Sequence, residues 1–489
     1  MPSSMRNQCR ARPTVNPRRR IHRMTTYHNS ILQATCCCSI LIALLIAAPA
    51  VCAQEPKSPF YPSQISTQNG KPLNHEEYES PEICSGCHMG IHKQWKGSMH
   101  ASAFIDPIFQ ALWKMGEKET QGLTNNLCGG CHGAVGVLSQ ELTFKDGEFH
   151  APDIAKKGIH CDLCHTIVTS TFADTPNYEP GNASFIAAPG PIKRGPHADS
   201  ASPYHETAYS ELHTSSLFCA NCHQIFHPVS NFHIERTYDE WKYSVYAQND
   251  IQCQDCHMMP VDKASETART LKKQNNPGKS ALMGPKRENI FTHEFIGANF
   301  TVPELLGNKA HAETARKRLK SAAELKIDAP EILMAGELGK ITITVTNIGA
   351  GHNLPTSLTD VRQMWLDVKV MDSTGKEVYR SGNLNQQGTI VGDPRIFNAH
   401  ALDSTDRETH KPWEIAKFKY NRTIPPKGSA IENFFFLVPT DVNGDLQVEA
   451  VLRYRSYPQS LANLLLGDKT FTLPVCDMTQ QKTVIKLAK

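Results

Sequence analysis

The chain repeats the pattern Cys-x-x-Cys-His five times, and this repetition constrains its fold more than any other feature. The copies read CSGCH, CGGCH, CDLCH, CANCH and CQDCH, and their first residues are Cys84, Cys128, Cys161, Cys219 and Cys253. With 16 cysteines and 22 histidines in 489 residues, random placement would give about 0.02 copies of the pattern. The five copies therefore indicate one shared chemistry.

The spacing is that of covalent haem attachment. Two thiols two residues apart add to the vinyl groups of one haem, and the histidine that follows is the proximal ligand of its iron. We therefore predict five covalently bound haem c groups. The predicted attachment residues are Cys84, Cys87, Cys128, Cys131, Cys161, Cys164, Cys219, Cys222, Cys253 and Cys256, and the predicted proximal ligands are His88, His132, His165, His223 and His257.

Three other uses of paired cysteines fit less well. Zinc sites use two Cys-x-x-Cys pairs but do not need a histidine directly after each pair. A thioredoxin-type redox pair occurs once, at the start of a helix. Iron–sulfur clusters need three or four cysteines each, in other spacings.

Residues 1–53 have the features of a secretory signal peptide. They contain seven arginines and no acidic residue, followed by a short apolar run that ends in small residues. Cleavage after Ala50 or Ala53 fits the run, and an uncleaved anchor or a lipidated Cys52 are the alternatives. Because haem c is attached outside the cytoplasm, the expected location is the periplasm or the cell surface.

The charge of the chain depends on removal of this segment. The full chain carries a formal net charge of +3, and loss of seven basic residues leaves about −4. Bound haem propionates would make the exported protein more acidic. No basic cluster in the exported part indicates binding to nucleic acid.

The remainder divides by composition. Residues 54–82 are rich in proline and serine and are expected to form a linker or an N-terminal strap. We expect a pentahaem cytochrome domain at 83–302, a connecting helix at 303–326 and a β-sandwich domain at 327–489. The predicted fold is thus a mostly α and irregular, haem-cored domain with short helices, followed by an all-β, sandwich-like C-terminal domain.

Local signals support this division. Asp106-Pro107 is typical of a helix start and predicts a helix from Ile108. The segment from Thr237 to Glu240 has the pattern of a capping box. Further along, KITITVTNI alternates apolar and polar residues as a half-buried strand does, and MWLDVKVMDSTGKEVY predicts a hairpin.

Each haem iron has a sixth coordination position. Electron-transfer haems usually fill it with a second histidine or a methionine, whereas catalytic haems leave it open. Fifteen of the 22 histidines lie outside both the motifs and the signal segment, and this surplus favours bis-histidine ligation. The candidate distal ligands are His100, His205, His293, His352, His213 and His160.

Several stretches resemble a known group of proteins. CSGCH with the following WKGS, HETAYSELHTSSLFCANCH, TYDEW, IQCQDCHMMP and HEFIGAN resemble multihaem cytochromes c of sulfate- and metal-reducing bacteria. That group is similar to the tetrahaem cytochromes of nitrifiers and, more distantly, to pentahaem nitrite reductase and hydroxylamine oxidoreductase. GAGHNLPT, RQMWLDVKV and RYRS are similar to the C-terminal β-domain that some members carry.

The resemblance, which covers most of residues 83–460, implies distal ligands at His100, His205 and His293, with His352 as a further one. The chain departs from the nitrite reductases, whose catalytic haem is attached at Cys-x-x-Cys-Lys. All five motifs here end in histidine, which weakens the expectation of an enzyme.

Three functions are therefore expected in descending order. The first is electron transfer along five haems, with other cytochromes or a membrane quinol-oxidising complex as partners. The second is a multihaem reductase with one open haem that acts on nitrite, hydroxylamine or a sulfur oxyanion. The third is self-assembly as a subunit of a polymeric extracellular cytochrome.

Overall fold

A computed structural model describes residues 58–175 and 178–488, which belong to one compact unit at 56–489. The predicted signal peptide, residues 1–53, lies outside the described residues. Within the described ranges, no helix is both long enough and apolar enough to span a membrane.

Short helices joined by irregular segments form the region that carries the motifs, as expected. The longest helix, α3, begins where the sequence predicted, because the Asp106 carboxylate accepts hydrogen bonds from the backbone N–H groups of Ile108 and Phe109. The helices are α1 Pro81–Cys84, α2 Met89–Lys96, α3 Pro107–Thr120, α4 Leu123–His132, α5 Ala134–Leu138, α6 Asp153–Lys156, α7 Cys161–His165, α8 Ser216–Ala220, α9 Thr237–Lys242, α10 Val245–Gln248, α11 Gln254–His257 and α12 Val261–Thr270.

The predicted capping box at Thr237 is wrong. Helix α9 follows Arg236, and no side chain caps its first turn. The Thr237 hydroxyl instead bonds the Glu235 carboxylate and the hydroxyl of Thr356. The Thr237 side chain is therefore used in these contacts and not as the helix cap that the local pattern predicted.

Small sheets and an N-terminal strap complete this region. Phe60 and Ile65, in the segment expected to be a linker or strap, are buried in one apolar cluster with Leu138 and Phe185. The strands are β1 Ser66–Thr67, β2 Thr143–Lys145, β3 Glu148–His150, β4 Ile167–Ser170, β5 Phe185–Ala187, β6 Ile192–Gly195, β7 Glu206–Tyr209, β8 Ile225–Phe226 and β9 His233–Glu235.

The connecting segment is not the single helix that was predicted for 303–326. It forms α13 Thr301–Leu305 and α14 Lys309–Lys320, separated at Gly307, whose φ of +81° is left-handed. The chain then enters the first strand of the next region at Ala323, where buried and exposed residues alternate.

The C-terminal region is rich in β-structure. Its strands are β10 Ala323–Asp328, β11 Ile332–Met334, β12 Leu338–Asn347, β13 Gln363–Met371, β14 Glu377–Ser381, β15 Arg395–Phe397, β16 Ala399–Leu402, β17 Lys417–Asn421, β18 Ser429–Leu437, β19 Leu446–Arg455 and β20 Cys476–Ala488. One sheet has the order β10-β12-β18, and a second has the order β11-β20-β19-β13-β14, with β15 also paired to β13. The predicted hairpin is confirmed, since β13 and β14 pair antiparallel.

Both sheets contribute to one apolar core. Ile343 of β12, Phe434 of β18 and Val368 of β13 are buried in the same cluster. Cys476 is also buried there, as expected for a small apolar residue. The region is not all-β, because helix α15, Gln459–Leu466, follows β19. The sandwich arrangement itself stays a prediction.

Candidate haem-binding site

Each motif is folded so that its first cysteine and its histidine share one face. The backbone N–H of His88 donates to the carbonyl of Cys84 at 2.9 Å, and the fourth and fifth motifs form the same bond at 2.9 Å. The second and third motifs lie at the end of α4 and in α7. Residues four apart in a helical turn lie side by side, so each motif can present a thiol and an imidazole to one ligand.

All five motifs line one continuous cavity of about 1990 Å³. This exceeds the roughly 300–1,000 Å³ of ordinary ligand pockets by about a factor of two. Every motif cysteine and histidine reaches its wall, and so do all six candidate distal histidines, His100, His160, His205, His213, His293 and His352. The site is therefore shared rather than five separate pockets.

Four of the five motif histidines are held by a backbone carbonyl at Nδ1. His88 bonds the carbonyl of Ser280 at 2.8 Å, and His257 bonds that of Ile296 at 2.7 Å. His132 and His165 bond other carbonyls at 2.8 and 2.6 Å. A carbonyl accepts only from Nδ1–H, so Nε2 is left unprotonated and able to bind a metal.

Burial favours the neutral imidazole at His132, His165 and His257 by lowering the pKa of each. It lowers the pKa of His132 to about 4 and the pKa of His257 to about 3. An iron ligand must be a neutral imidazole, so both side chains are ready for coordination near neutral pH.

The fourth motif differs from the others. His223 Nδ1 faces the buried carboxylate of Glu235 at 3.8 Å instead of a carbonyl. Burial opposes the imidazolium, yet the carboxylate raises the pKa of His223 overall. The sequence analysis did not select Glu235, because only the fold of β9 brings it next to His223, twelve positions earlier.

Four motif histidines face a second imidazole. A metal–nitrogen bond to imidazole is about 2.0–2.1 Å, so two imidazoles on one iron have ring centres about 6 Å apart. The measured pairs are His88 with His205 at 6.5 Å, His165 with His293 at 6.3 Å, His223 with His100 at 6.2 Å, and His257 with His352 at 6.0 Å. These separations fit an iron between the rings.

The opposing histidines come from distant parts of the chain. His352 lies in a loop of the β-rich region, and its Nδ1 bonds the carbonyl of Asn353 at 2.8 Å. His293 Nδ1 likewise bonds the carbonyl of Phe291 at 3.1 Å. In both residues Nε2 is the nitrogen left for a ligand.

The two remaining candidates are placed differently. The ring of His213 lies 5.6 Å from His165, but its Nε2 contacts the Cys164 carbonyl at 3.1 Å. His160 caps helix α7 by accepting the backbone N–H of Leu163 at Nδ1. Neither presents a free Nε2 opposite a motif histidine, although the Nε2 of His160 is buried without a partner.

The second motif has no such imidazole pair among the described residues. The ring recorded against His132 is Phe109, stacked at 3.6 Å with an interplanar angle of 9°. Phe109 sits in the first turn of α3, which Asp106 caps. Within the described residues, a bound iron at this motif would thus have no second imidazole at the ring separations measured for the other four motifs.

Electrostatic interactions between thiols indicate which sites are neighbours. The interacting pairs are Cys84 with Cys161, Cys131 with Cys222, and Cys219 with Cys253. Cys164 also lies within electrostatic range of Cys219. The first site thus adjoins the third, and the fourth site adjoins the second, third and fifth.

The part of the chain that carries the first three motifs matches a known family. The family described as cytochrome c554 and c-prime matches residues 83–166. The chain is also similar in structure to a penta-heme cytochrome c552 from Thermochromatium tepidum, with a TM-score of 0.57 and 16% identity over 84% of this chain and 99% of that one. The chain has the fold of a multihaem cytochrome c.

The other comparisons add little to this multihaem cytochrome fold. A CARDB domain from Pyrococcus furiosus aligns with 34% of the chain and 87% of its own length, at 11% identity and a TM-score of 0.17. A search of curated protein sequences finds no significant match. The motif geometry and the penta-heme cytochrome fold agree with each other, and the residues present fit covalent haem.

Proposed function

We propose that this protein is an exported pentahaem cytochrome c that transfers electrons along its haems between redox partners. The observation that carries the proposal is the set of four imidazole pairs, with ring centres 6.0–6.5 Å apart, around one cavity. Two histidine ligands close an iron to substrate and favour electron transfer over catalysis. Bound haem supplies the one-electron couple.

The protein's own residues do three things in this proposal. The motif thiols fix each haem, and the backbone carbonyls at Nδ1 orient the proximal imidazoles. The shared cavity keeps neighbouring sites together, since thiols of different motifs line it and interact electrostatically. Distal histidines such as His352 then determine which irons are closed.

The expected location and partners are part of the proposal. The arginine-rich, apolar N-terminal segment supports export to the periplasm or cell surface. Partners of suitable chemistry are other cytochromes and membrane quinol-oxidising complexes, which exchange single electrons. Self-assembly into a polymer is the alternative that electron micrographs of the purified protein would test.

A second candidate function is reduction of a small substrate at the second motif. It is favoured by one observation, the missing imidazole opposite His132. An open iron can bind nitrite, hydroxylamine or a sulfur oxyanion. Voltammetry of adsorbed protein separates the two functions. Reversible haem signals without catalytic current support electron transfer, and a catalytic current on addition of a substrate supports the reductase.

The axial assignment can be tested at the third motif. His293→Ala is expected to leave every haem attached and to convert one haem from low to high spin, because attachment needs only the motif thiols. His213→Ala is the matched control, since its Nε2 contacts the Cys164 carbonyl. If His213→Ala produces the high-spin haem and His293→Ala does not, His213 rather than His293 is the ligand opposite His165.

A further inference from the structure

Two charged side chains of opposite sign lie beside two adjoining sites, the fourth at Cys219 and the fifth at Cys253. The thiols of these cysteines interact electrostatically and line the same cavity, so the two sites are neighbours. The charges belong to Glu235 of β9 and Arg318 of α14, and neither residue is part of a motif.

Glu235 lies against the fourth site. Its side chain is 5% exposed, and its carboxylate faces His223 Nδ1 at 3.8 Å. The hydroxyl of Thr237 donates to the same carboxylate at 3.2 Å and fixes its position. The four other motif histidines contact a neutral carbonyl at this nitrogen, so His223 is the one motif histidine with a carboxylate at Nδ1.

Arg318 lies against the fifth site. Its guanidinium donates to the carbonyl of Cys256 at 2.8 Å and to that of Met259 at 3.4 Å. The Nε of Arg318 is buried without a hydrogen-bond partner, and the guanidinium forms no ion pair with any described residue.

We propose that Glu235 and Arg318 order the reduction potentials of these two sites, with the fourth site low and the fifth site high. This rests on the proposed function, because both sites must carry haem. Oxidation adds one positive charge at an iron, which a nearby carboxylate stabilises and a nearby guanidinium opposes. A carboxylate at the proximal imidazole also makes it a stronger donor to the oxidised metal.

Three further charges act near the two sites without cancelling this order. Asp255, within the fifth motif, forms an ion pair with Lys273 at 3.5 Å, and this offsets its charge at that site. Arg362 interacts with Glu235 at a distance, but its guanidinium donates to the carbonyl of Ser456. Glu294 interacts with Arg318 in the same way and makes no ion pair with it among the residues described. Because contact charges outweigh distant ones, the order set by Glu235 and Arg318 remains.

The order of potentials has a consequence for direction. One electron shared by the two sites would reside mainly on the fifth. That site is the one whose second imidazole, His352, belongs to the β-rich region. Electrons that reach the two sites would therefore leave through the fifth.

A redox titration of the haem-loaded, full-length protein tests the proposal. Glu235→Gln is expected to raise the potential of the fourth site, and Arg318→Gln is expected to lower that of the fifth. Each should change the equilibrium constant for sharing one electron by about tenfold or more, which is about 59 mV. His352→Ala, introduced in parallel, marks the fifth site by making its haem high-spin.

Two matched variants control for general disturbance. Glu235→Asp keeps the charge and should retain a low fourth potential. Arg316→Gln lies on the same helix as Arg318, but Arg316 pairs with Glu304 and stacks on Phe300, so it should shift neither site.

The proposal is overturned if Glu235→Gln and Arg318→Gln leave both potentials unchanged, or if Arg316→Gln shifts them equally. Haem content is measured on the same samples. Fewer than five haems per chain would count against the proposed function instead, so the two failures are distinguishable.

Discussion

In the β-rich region, alternate residues of each strand point inward, and Ile341, Ile343 and Val345 of β12 are fully buried. In the region that carries the motifs, the corresponding interior is a cavity lined by cysteine and histidine. Both regions lie in one compact unit. The first fills its interior with apolar side chains, whereas the second has a smaller apolar cluster at Phe60 and Leu138 beside a large cavity.

The size of the cavity shows how much this difference matters. The cavity, at about 1990 Å³, is about twice the volume of an ordinary ligand pocket. We therefore expect the motif region to depend on bound haem for its stability, whereas the β-rich region has an apolar core of its own.

The largest expected effect comes from withholding haem. A protein that lacks residues 1–53 is made in the cytoplasm, where haem c is not attached. We expect a protease to cut this haem-free protein throughout residues 83–300. The β-rich region should be cut more slowly because its core is complete. Mass spectrometry of the fragments maps the cuts. Equal resistance to protease in haem-free and haem-loaded protein would contradict this difference between the two regions.

A core substitution in the β-rich region should have the next largest effect. Ile343→Ala removes a fully buried side chain and should lower the free energy of unfolding by about 2–5 kcal/mol. The haem spectrum should stay unchanged. Thr344→Ala, on the opposite face of β12, is the control and should cost less than about 0.5 kcal/mol. Urea unfolding followed by far-ultraviolet circular dichroism measures both.

A buried carboxyl in the motif region should make stability depend on pH. Burial raises the pKa of Asp106 to about 6 from 3.8. The folded state therefore holds a proton that the unfolded state has lost, and this contribution falls by about 3 kcal/mol as pH rises from about 4 through about 6. Asp106→Asn keeps the cap and should remove that loss.

Urea unfolding at pH 4.5 and pH 7 checks this expectation. Asp153→Asn, an exposed residue in the first turn of α6, is the control and should leave the pH dependence unchanged. The expectation would be contradicted if the free energy of unfolding changed equally between pH 4.5 and pH 7 in wild type and in Asp106→Asn.

The smallest effect on stability, and the most local one, should come from the residue that joins the regions. His352→Ala should leave haem content unchanged and convert the haem at the fifth motif to high spin. His227→Ala is the control, because both nitrogens of its ring are already bonded: Nε2 to the Trp413 carbonyl, and Nδ1 to the backbone N–H groups of Val229 and Ser230. A low-spin haem at the fifth motif in His352→Ala would show that His352 is not an iron ligand and does not connect the two regions.

Chemistry carried by short motifs could be read from the sequence, and contacts between distant segments could not. The five attachment motifs, the cap at Asp106 and the strand that contains Ile343 all follow from local spacing. The candidate set also contained every histidine that faces a motif imidazole, but only the fold separates His293 from His213. The carboxylate of Glu235 gave no signal, since its meaning depends on which imidazole lies beside it.

The capping box at Thr237 and the long helix at 303–326 failed for a related reason. Thr237 bonds two side chains from other segments, so a local pattern gave way to tertiary contacts. In the connecting segment, Gly307 ends one helix and the β-alternation from Ala323 ends the next. Local propensity was overridden where another segment offered a better partner.

Mössbauer spectroscopy of reduced protein enriched in ⁵⁷Fe tests the central claim most directly, because it counts every iron by spin state. Four imidazole pairs and one unpaired motif histidine, His132, predict five irons per chain, with about four-fifths of the signal from low-spin iron and about one-fifth from high-spin iron. A signal that is entirely low-spin, or one with two or more high-spin irons, would contradict the account.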